Sequence, residues 1–152
     1  MCKTLVALAV TVCVIVGGYY EYECDCPLAI EVSDEVRDYL YRIAWAEARG
    51  EGEKGIILVI NVILNRVADP NFPDTIRDVI FQPRQFSPVQ NGAFARAIPC
   101  DYIKNAVQRA LDGVNYSRGA LFFRAICCCL PGSWHERNLT RLFDHKGHRF
   151  YR

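Results

Sequence analysis

Glu47 is the residue whose type and spacing most directly suggest chemistry. Apolar residues at positions 36, 40, 43 and 44 recur at helical spacing, and one further helical step along the same stripe arrives at Glu47. Its carboxyl is therefore expected to point toward the domain interior. Partial removal from water disfavours the charged form, raises the pKa and suits the group to act as a general acid near neutral pH. The end of a helix works in the same direction, because the negative end of the helix dipole also opposes ionisation. Periodicity alone leaves a plainer reading open, a buried ion pair with Arg49, Arg66 or Lys54. Metal ligation is the other chemistry whose residue types are present, in His135, His145, His148 and eight cysteines. Their spacing matches no compact zinc signature: Cys24-x-Cys26 and the Cys127-Cys128-Cys129 triplet are not paired C-x-x-C knuckles. Neither a metal nor a cofactor is expected.

The elements that must position Glu47 follow from caps and periodicity. Ser33 is a good N-cap, with acidic Asp34 and Glu35 in the first turn, so a helix is predicted over 34–48 and Gly50 supplies the break. Residues 53–67 are apolar all round, as expected of a central helix buried on most sides; β-branched content would also suit a strand, but the length argues for helix. The stretch 69–73 is turn chemistry, and Asp74 is expected to cap a short helix running through Ile80. A Pro- and Gly-bearing loop over 82–99 is long enough to be functional. Another amphipathic helix is predicted over 101–111, ended by Gly113. Beyond it, 120–123, 139–143 and 148–151 read as short strands, with Lys146-Gly147 turning the last two into a hairpin. The fold class is α+β, with helices first and a small antiparallel sheet at the C-terminal end.

Length and composition bound the rest. The 152 residues leave room for one domain beyond the apolar N-terminus, and 51% hydrophobic content is too high for intrinsic disorder. Eighteen basic residues against seventeen acidic ones give a net charge of +1, so nothing electrostatic favours nucleic acid, and a monomer is expected. Residues 4–17 form an almost unbroken apolar run behind Lys3, the layout of an export signal, with cleavage after Gly18 as one outcome. An uncleaved anchor is the second, and a buried core helix is the third. Fourteen helical residues reach only about 21 Å against a hydrocarbon core of roughly 30 Å, but Tyr19, Tyr20 and Tyr22 can extend the contact at the interface. Thus 1–18 is assigned as signal or anchor, membrane association is assigned to 4–20, and 19–32 is an irregular lead-in. The expected location is extracytoplasmic, where Cys24, Cys26, Cys100 and Cys127 to Cys129 are candidates for disulfides; buried free thiols are the alternative.

Four sequence words then occur in order: Ala46-Glu47-Ala48-Arg49-Gly50-Glu51, Leu64-Asn65-Arg66-Val67, Gln85-Phe86-Ser87 and His148-Arg149-Phe150-Tyr151. Between them stand Phe72-Pro73-Asp74-Thr75-Ile76 and Gly119-Ala120-Leu121-Phe122-Phe123. This series resembles the cell wall hydrolase family of the spore cortex-lytic enzyme SleB, over residues 36–152. The resemblance implies a lysozyme-like fold with a catalytic domain over 33–152, and a lytic transglycosylase or muramidase acting on peptidoglycan glycan strands, with Glu47 as its single essential glutamate. It also suggests Gln85, Phe86 and Ser87 as a cleft wall, and Glu51 is counted with them among the substrate-binding residues. Folding of Phe86 into the core is the alternative for that residue, and Asn65 and Arg66 read as scaffold. The chain departs from the family pattern over 124–137, where Arg124-Ala125-Ile126-Cys127-Cys128-Cys129 stands in place of an aromatic and Asn-Pro stretch. Trp134 can supply a sugar-stacking face there or serve as core. A non-catalytic wall-binding protein on the same fold is the competing class; it gives no reason for an inward glutamate.

Overall fold

The computed structural model describes residues 29–129 and 131–152. The N-terminal expectations, namely signal or anchor, most of the lead-in, Cys24 and Cys26, lie outside the described residues. Among the described residues no helix is long and apolar enough to cross a membrane.

Ser33 starts the first helix as its sequence position predicts: its Oγ accepts from the Val36 amide at 3.3 Å, and α1 runs Asp34–Ala48. Leu40, Ile43, Ala44 and Ala48 form its buried stripe. After Gly50 the chain reverses into α2, Gly52–Ala68, in which every residue from Gly55 to Ile63 is buried. Complete burial follows from position: α2 packs on α1, on α3 (Ile76–Phe81), on α5 (Asp101–Leu111) and on the first strand of the sheet. Each of its isoleucines removed from water contributes roughly 1.5–3 kcal/mol, so this helix is the axis of the core.

Three short strands, β1 (Phe122–Ala125), β2 (Arg141–His145) and β3 (His148–Tyr151), form an antiparallel sheet in the order β1-β3-β2. The register pairs Phe122 with Tyr151 and Ala125 with His148, while β2 shifts register between Arg141 and Phe143. Phe150, in the central strand, stacks on Phe143 at 4.9 Å and sits with Leu58, Val62 and Ala120 in a second apolar cluster beneath the sheet. Helices precede a small C-terminal sheet, so the α+β expectation agrees with the structure.

Three details differ from expectation. The cap of α3 is Thr75 and not Asp74, because Thr75 Oγ1 accepts from the Asp78 amide at 3.0 Å. The first two strands begin two residues later than their apolar runs, since pairing with β3 sets their limits. A 3₁₀ turn (Ile126–Cys128) and a short helix α6 (Trp134–Asn138) occupy the divergent stretch, and a single helical turn, α4 (Ser87–Gln90), lies within the long loop.

Polar side chains on α2 fasten the segment that enters β1. Asn61 Nδ2 donates to the Val114 carbonyl at 2.9 Å while its Oδ1 accepts from the Tyr116 amide at 3.0 Å. Asn65 Nδ2 donates to Ser117 Oγ and to the Ala120 carbonyl, and Arg66 Nε donates to the Leu121 carbonyl at 2.7 Å. The scaffold reading of Asn65 and Arg66 is thus the one their contacts support.

Candidate active site

The turn between α1 and α2 gathers three glutamates, and their surroundings separate them. Glu53 is partly exposed and ion-paired with Arg109 at 2.6 Å. Glu51 accepts from the Gly147 amide at 3.1 Å and lies 3.9 Å from His148 Nδ1, which fastens the tip of the β2–β3 hairpin to the start of α2. That approach is close enough that a Cβ on Gly147 would meet Glu51 Oε1 at 2.9 Å, and one on Gly55 would overlap the Glu51 side chain at 2.3 Å. Glu47, in the last turn of α1, is partly buried, and burial alone pushes its pKa up from 4.5 to about 7.

The basic residues offered by the sequence as partners for Glu47 are engaged elsewhere. Arg49 lies over the Trp45 ring at 4.1 Å and Lys54 over Tyr116 at 5.4 Å. Arg66 is 4% exposed, holds the Leu121 carbonyl, and is enclosed by the rings of Phe72, Phe86 and Phe122 at 5.1–5.4 Å. Burial lowers the Arg66 pKa to about 10. An uncompensated carboxyl that shares its proton with solvent near pH 7 is what remains, and that is the electrostatic requirement for donating a proton and then taking one back.

The other residues singled out by sequence are placed unequally. The loop over 82–99 is held against α1: Arg42 Nη1 reaches the carbonyls of Ala95 and Ala97 at 3.4 and 3.5 Å, Phe94 packs at 6.2 Å from Tyr39, and α4 packs on α1. Within it Gln85 and Ser87 are exposed, with polar groups open to a ligand. Phe86 is a correction to the cleft-wall reading. It is 1% exposed, 6.2 Å from Phe123 and beneath the Arg66 guanidinium, so its ring anchors the loop and offers no face to a sugar. Trp134 is the reverse case: 54% exposed and edge-on to His135 at 5.3 Å, it is not core, and its face is free for stacking. Glu51 is committed to the hairpin tip, which makes it a support for the turn beside Glu47 more than a group that meets substrate.

Beneath Trp134 lies a network that no spacing argument revealed. Tyr151 donates to Glu136 at 2.7 Å, and Arg149 bridges Glu136 at 3.1 Å and Asp144 at 2.9 Å. The Tyr151 hydrogen bond and then the Arg149 guanidinium hold the Glu136 carboxyl below its usual range. His148, half-buried and edge-on to Phe123 at 5.3 Å, is kept neutral to lower pH by burial, with Glu51 opposing that shift. The His148-Arg149-Phe150-Tyr151 word was the available signal, since its four side chains tie α6, the sheet and the glutamate turn together. Cys100, Cys127, Cys128 and Cys129 are free, and no disulfide joins these four to one another. No group of three or more metal-ligating side chains that could hold an ion occurs among the described residues.

Helices followed by a small antiparallel sheet place the domain in the α+β, lysozyme-like class of folds. The Cell Wall Hydrolase family matches residues 50–151, and the chain belongs to that family. Glu47 stands three residues ahead of the matched stretch. The cell wall hydrolase CwlJ of Bacillus subtilis is 33% identical over 121 residues, covering 75% of this chain and 82% of that protein. The spore cortex-lytic enzyme of Bacillus subtilis is 33% identical over 107 residues, 70% of this chain but 35% of that enzyme, and that of Oceanobacillus iheyensis is 42% identical over 79 residues, 52% of this chain and 28% of that enzyme. The chain therefore spans about a third of the length of the spore cortex-lytic enzymes. Among solved structures, the catalytic domain of the germination-specific lytic transglycosylase SleB from Bacillus anthracis superposes with a TM-score of 0.71 at 29% identity, covering 80% of this chain and 97% of that one. The catalytic domain of Bacillus cereus SleB gives 0.72 at the same identity and covers 93% of its chain.

Proposed function

We propose that this chain cleaves the glycan strands of peptidoglycan between N-acetylmuramic acid and N-acetylglucosamine, with Glu47 as the only proton-transfer group. The observation that carries the reading is the contrast at the α1–α2 turn: Glu51 and Glu53 have fixed partners, whereas Glu47 is shielded, unpaired and poised near pH 7. Protonated Glu47 donates to the bridging oxygen as the bond from C1 of the muramic acid breaks, leaving an oxocarbenium-like centre. The resulting carboxylate then removes the proton from the 6-hydroxyl of the same sugar as that oxygen attacks C1, which gives a 1,6-anhydro end and restores the acid. A hydrolytic glycosidase usually needs a second carboxylate as nucleophile or base. Glu51 and Glu53 are the nearby candidates, and their existing bonds favour the transglycosylase course.

The relatives named as acting on cell walls or spore cortex support the substrate class, and the apolar run over 4–17 would take the chain to the side of the membrane where that substrate lies. Gln85, Ser87 and Trp134 are the exposed groups expected to meet acetamido sugars. Mass spectrometry of purified peptidoglycan digested by the protein tests the reading. Anhydro-muramic ends are expected, and Glu47→Gln is expected to release none while remaining folded. Reducing muramic ends would replace the transglycosylase course with hydrolysis, and undiminished turnover by Glu47→Gln would remove Glu47 from the mechanism.

A further inference from the structure

A groove of about 600 Å³ on the described surface is lined by no residue of α1. It is bounded by Lys54 from α2, by Asn115, Tyr116 and Arg118 from the segment after α5, and by Phe143 and Asp144 of the edge strand β2. Its two cations have no carboxylate partner among the ion pairs of the described residues. Each is instead seated on an aromatic ring, Lys54 over Tyr116 and Arg118 over Phe143, both at 5.4 Å. The one acid in the groove is already neutralised: Asp144 is bonded to Arg149 at 2.9 Å and to Arg141 at 2.7 Å. What the groove offers a ligand is thus net positive charge beside flat apolar surface, a combination suited to carboxylates on a short, partly apolar chain.

The wall carrying Arg118 is fixed in advance. Arg118 itself has φ +53°, a conformation uncommon for a residue with a side chain, and Gly119 follows at φ +75°. Asn115 Oδ1 accepts from the Ser117 amide and hydroxyl at 2.8 and 2.7 Å, while Asn61 and Asn65 on α2 bind the same segment from below. Little conformational freedom is left to lose on binding.

We propose that this groove binds the free carboxylates of the peptide stems carried by the glycan strand. The inference rests on peptidoglycan being the substrate: in that polymer the sugars are neutral and the stems bear the negative charge. A strand threaded past Glu47 brings its own stems to the surface at high effective concentration, so weak ion pairs suffice to add affinity.

The test measures sedimentation of the Glu47→Gln protein with sacculi freed of phosphate polymers by acid extraction, either with their stems or stripped of them by an amidase and then amidated at the lactyl carboxyls so exposed, with unextracted sacculi run alongside. Lys54→Gln combined with Arg118→Asn removes both cations, asparagine being chosen because it tolerates the left-handed backbone. The double change is expected to weaken binding to stem-bearing sacculi about tenfold at low salt, with the difference shrinking as salt rises and absent on stripped glycan. Lys104→Gln, outside the groove, should change nothing. Equal binding with and without the two cations, in variants of unchanged thermal midpoint, overturns the proposal. So does a loss confined to sacculi that retain phosphate polymers, which would make the ligand a polyol phosphate. Cleavage of stripped glycan by the protein with Glu47 intact reads the catalytic assignment separately.

Discussion

Replacing Glu47 by glutamine should abolish turnover and, above neutral pH, make the protein more stable. The folded-state pKa of Glu47 is about 7 against an ordinary 4.5, with burial as the cause. A raised carboxylate pKa means that between those two values the folded chain holds a proton the unfolded chain has released. Stability therefore falls as pH rises from about 4.5 to about 7 and levels off beyond. At about 1.4 kcal/mol per pH unit, ionising Glu47 in the folded state costs up to about 3 kcal/mol. Glutamine has a similar shape and carries no charge at any pH, so it escapes that cost.

The assay is thermal or urea unfolding of both proteins from pH 4 to pH 8.5. Below pH 4.5 the two should differ by a pH-independent amount set by the amide. Above pH 7 the glutamine protein should gain up to about 3 kcal/mol relative to that baseline, or up to about 10 °C in midpoint for a domain of this size. A difference that stays constant across the range would mean that Glu47 is solvated or paired in the folded protein. The argument for a tuned acid would then fail, whatever the activity data say.

Three further outcomes follow from the same geometry. Turnover per substrate encounter should decline as pH rises through about 7, because the protonated form of Glu47 is the competent one; kcat/KM against pH on a soluble glycan measures this, and a flat profile from pH 6 to 8 contradicts it. Phe86→Ala should cost about 3–5 kcal/mol of stability, as for other buried aromatics, whereas Trp134→Ala should leave the midpoint nearly unchanged and raise KM for glycan. Asn61→Ala should cost about 2–4 kcal/mol by leaving the Val114 carbonyl and the Tyr116 amide without partners, and hydrogen exchange at Tyr116 should quicken accordingly.

Much of the frame around Glu47 could be read in advance because it is written in local signals. Ser33 and the 36-40-43-44 stripe fix α1 to its observed limits, and the same stripe gives the direction of the carboxyl. The uninterrupted apolar run of α2 announces burial on all sides, and α5 keeps its amphipathic period. The strands were less legible, since β1 and β2 begin where β3 offers partners and not where their apolar residues begin. Helix α6 has five residues, too few for a period. Phe86 illustrates a further limit: its sequence left both a core and a cleft position open, and the packing of its ring under Arg66 and against Phe123 decides for the core. The fate of the cations was equally hidden. Whether Glu47 has an ion-pair partner depends on Arg49 finding Trp45, Lys54 finding Tyr116 and Arg66 finding three phenylalanines, all of them decisions of tertiary packing.

Those aromatic placements also explain how a small domain keeps one glutamate unpaired in a chain with as many basic residues as acidic ones plus one. A free arginine near Glu47 would pull its pKa back down and end its use as an acid. Seating each nearby cation on a ring satisfies the cation without a carboxylate, and Arg109 and the Gly147 amide take up the other two glutamates of the turn. The result is selective: three carboxyls within seven residues, two tied to structural partners and one held back from ionising. A mechanism with an internal sugar hydroxyl as nucleophile asks for that division, because the single acid must give one proton to the bridging oxygen and take another from the attacking hydroxyl while no second carboxylate competes for the reacting carbon. Changes that free Arg49, such as Trp45→Ala, should therefore lower the Glu47 pKa and, on the proposed mechanism, shift the pH–rate profile to the acid side without altering Glu47 itself.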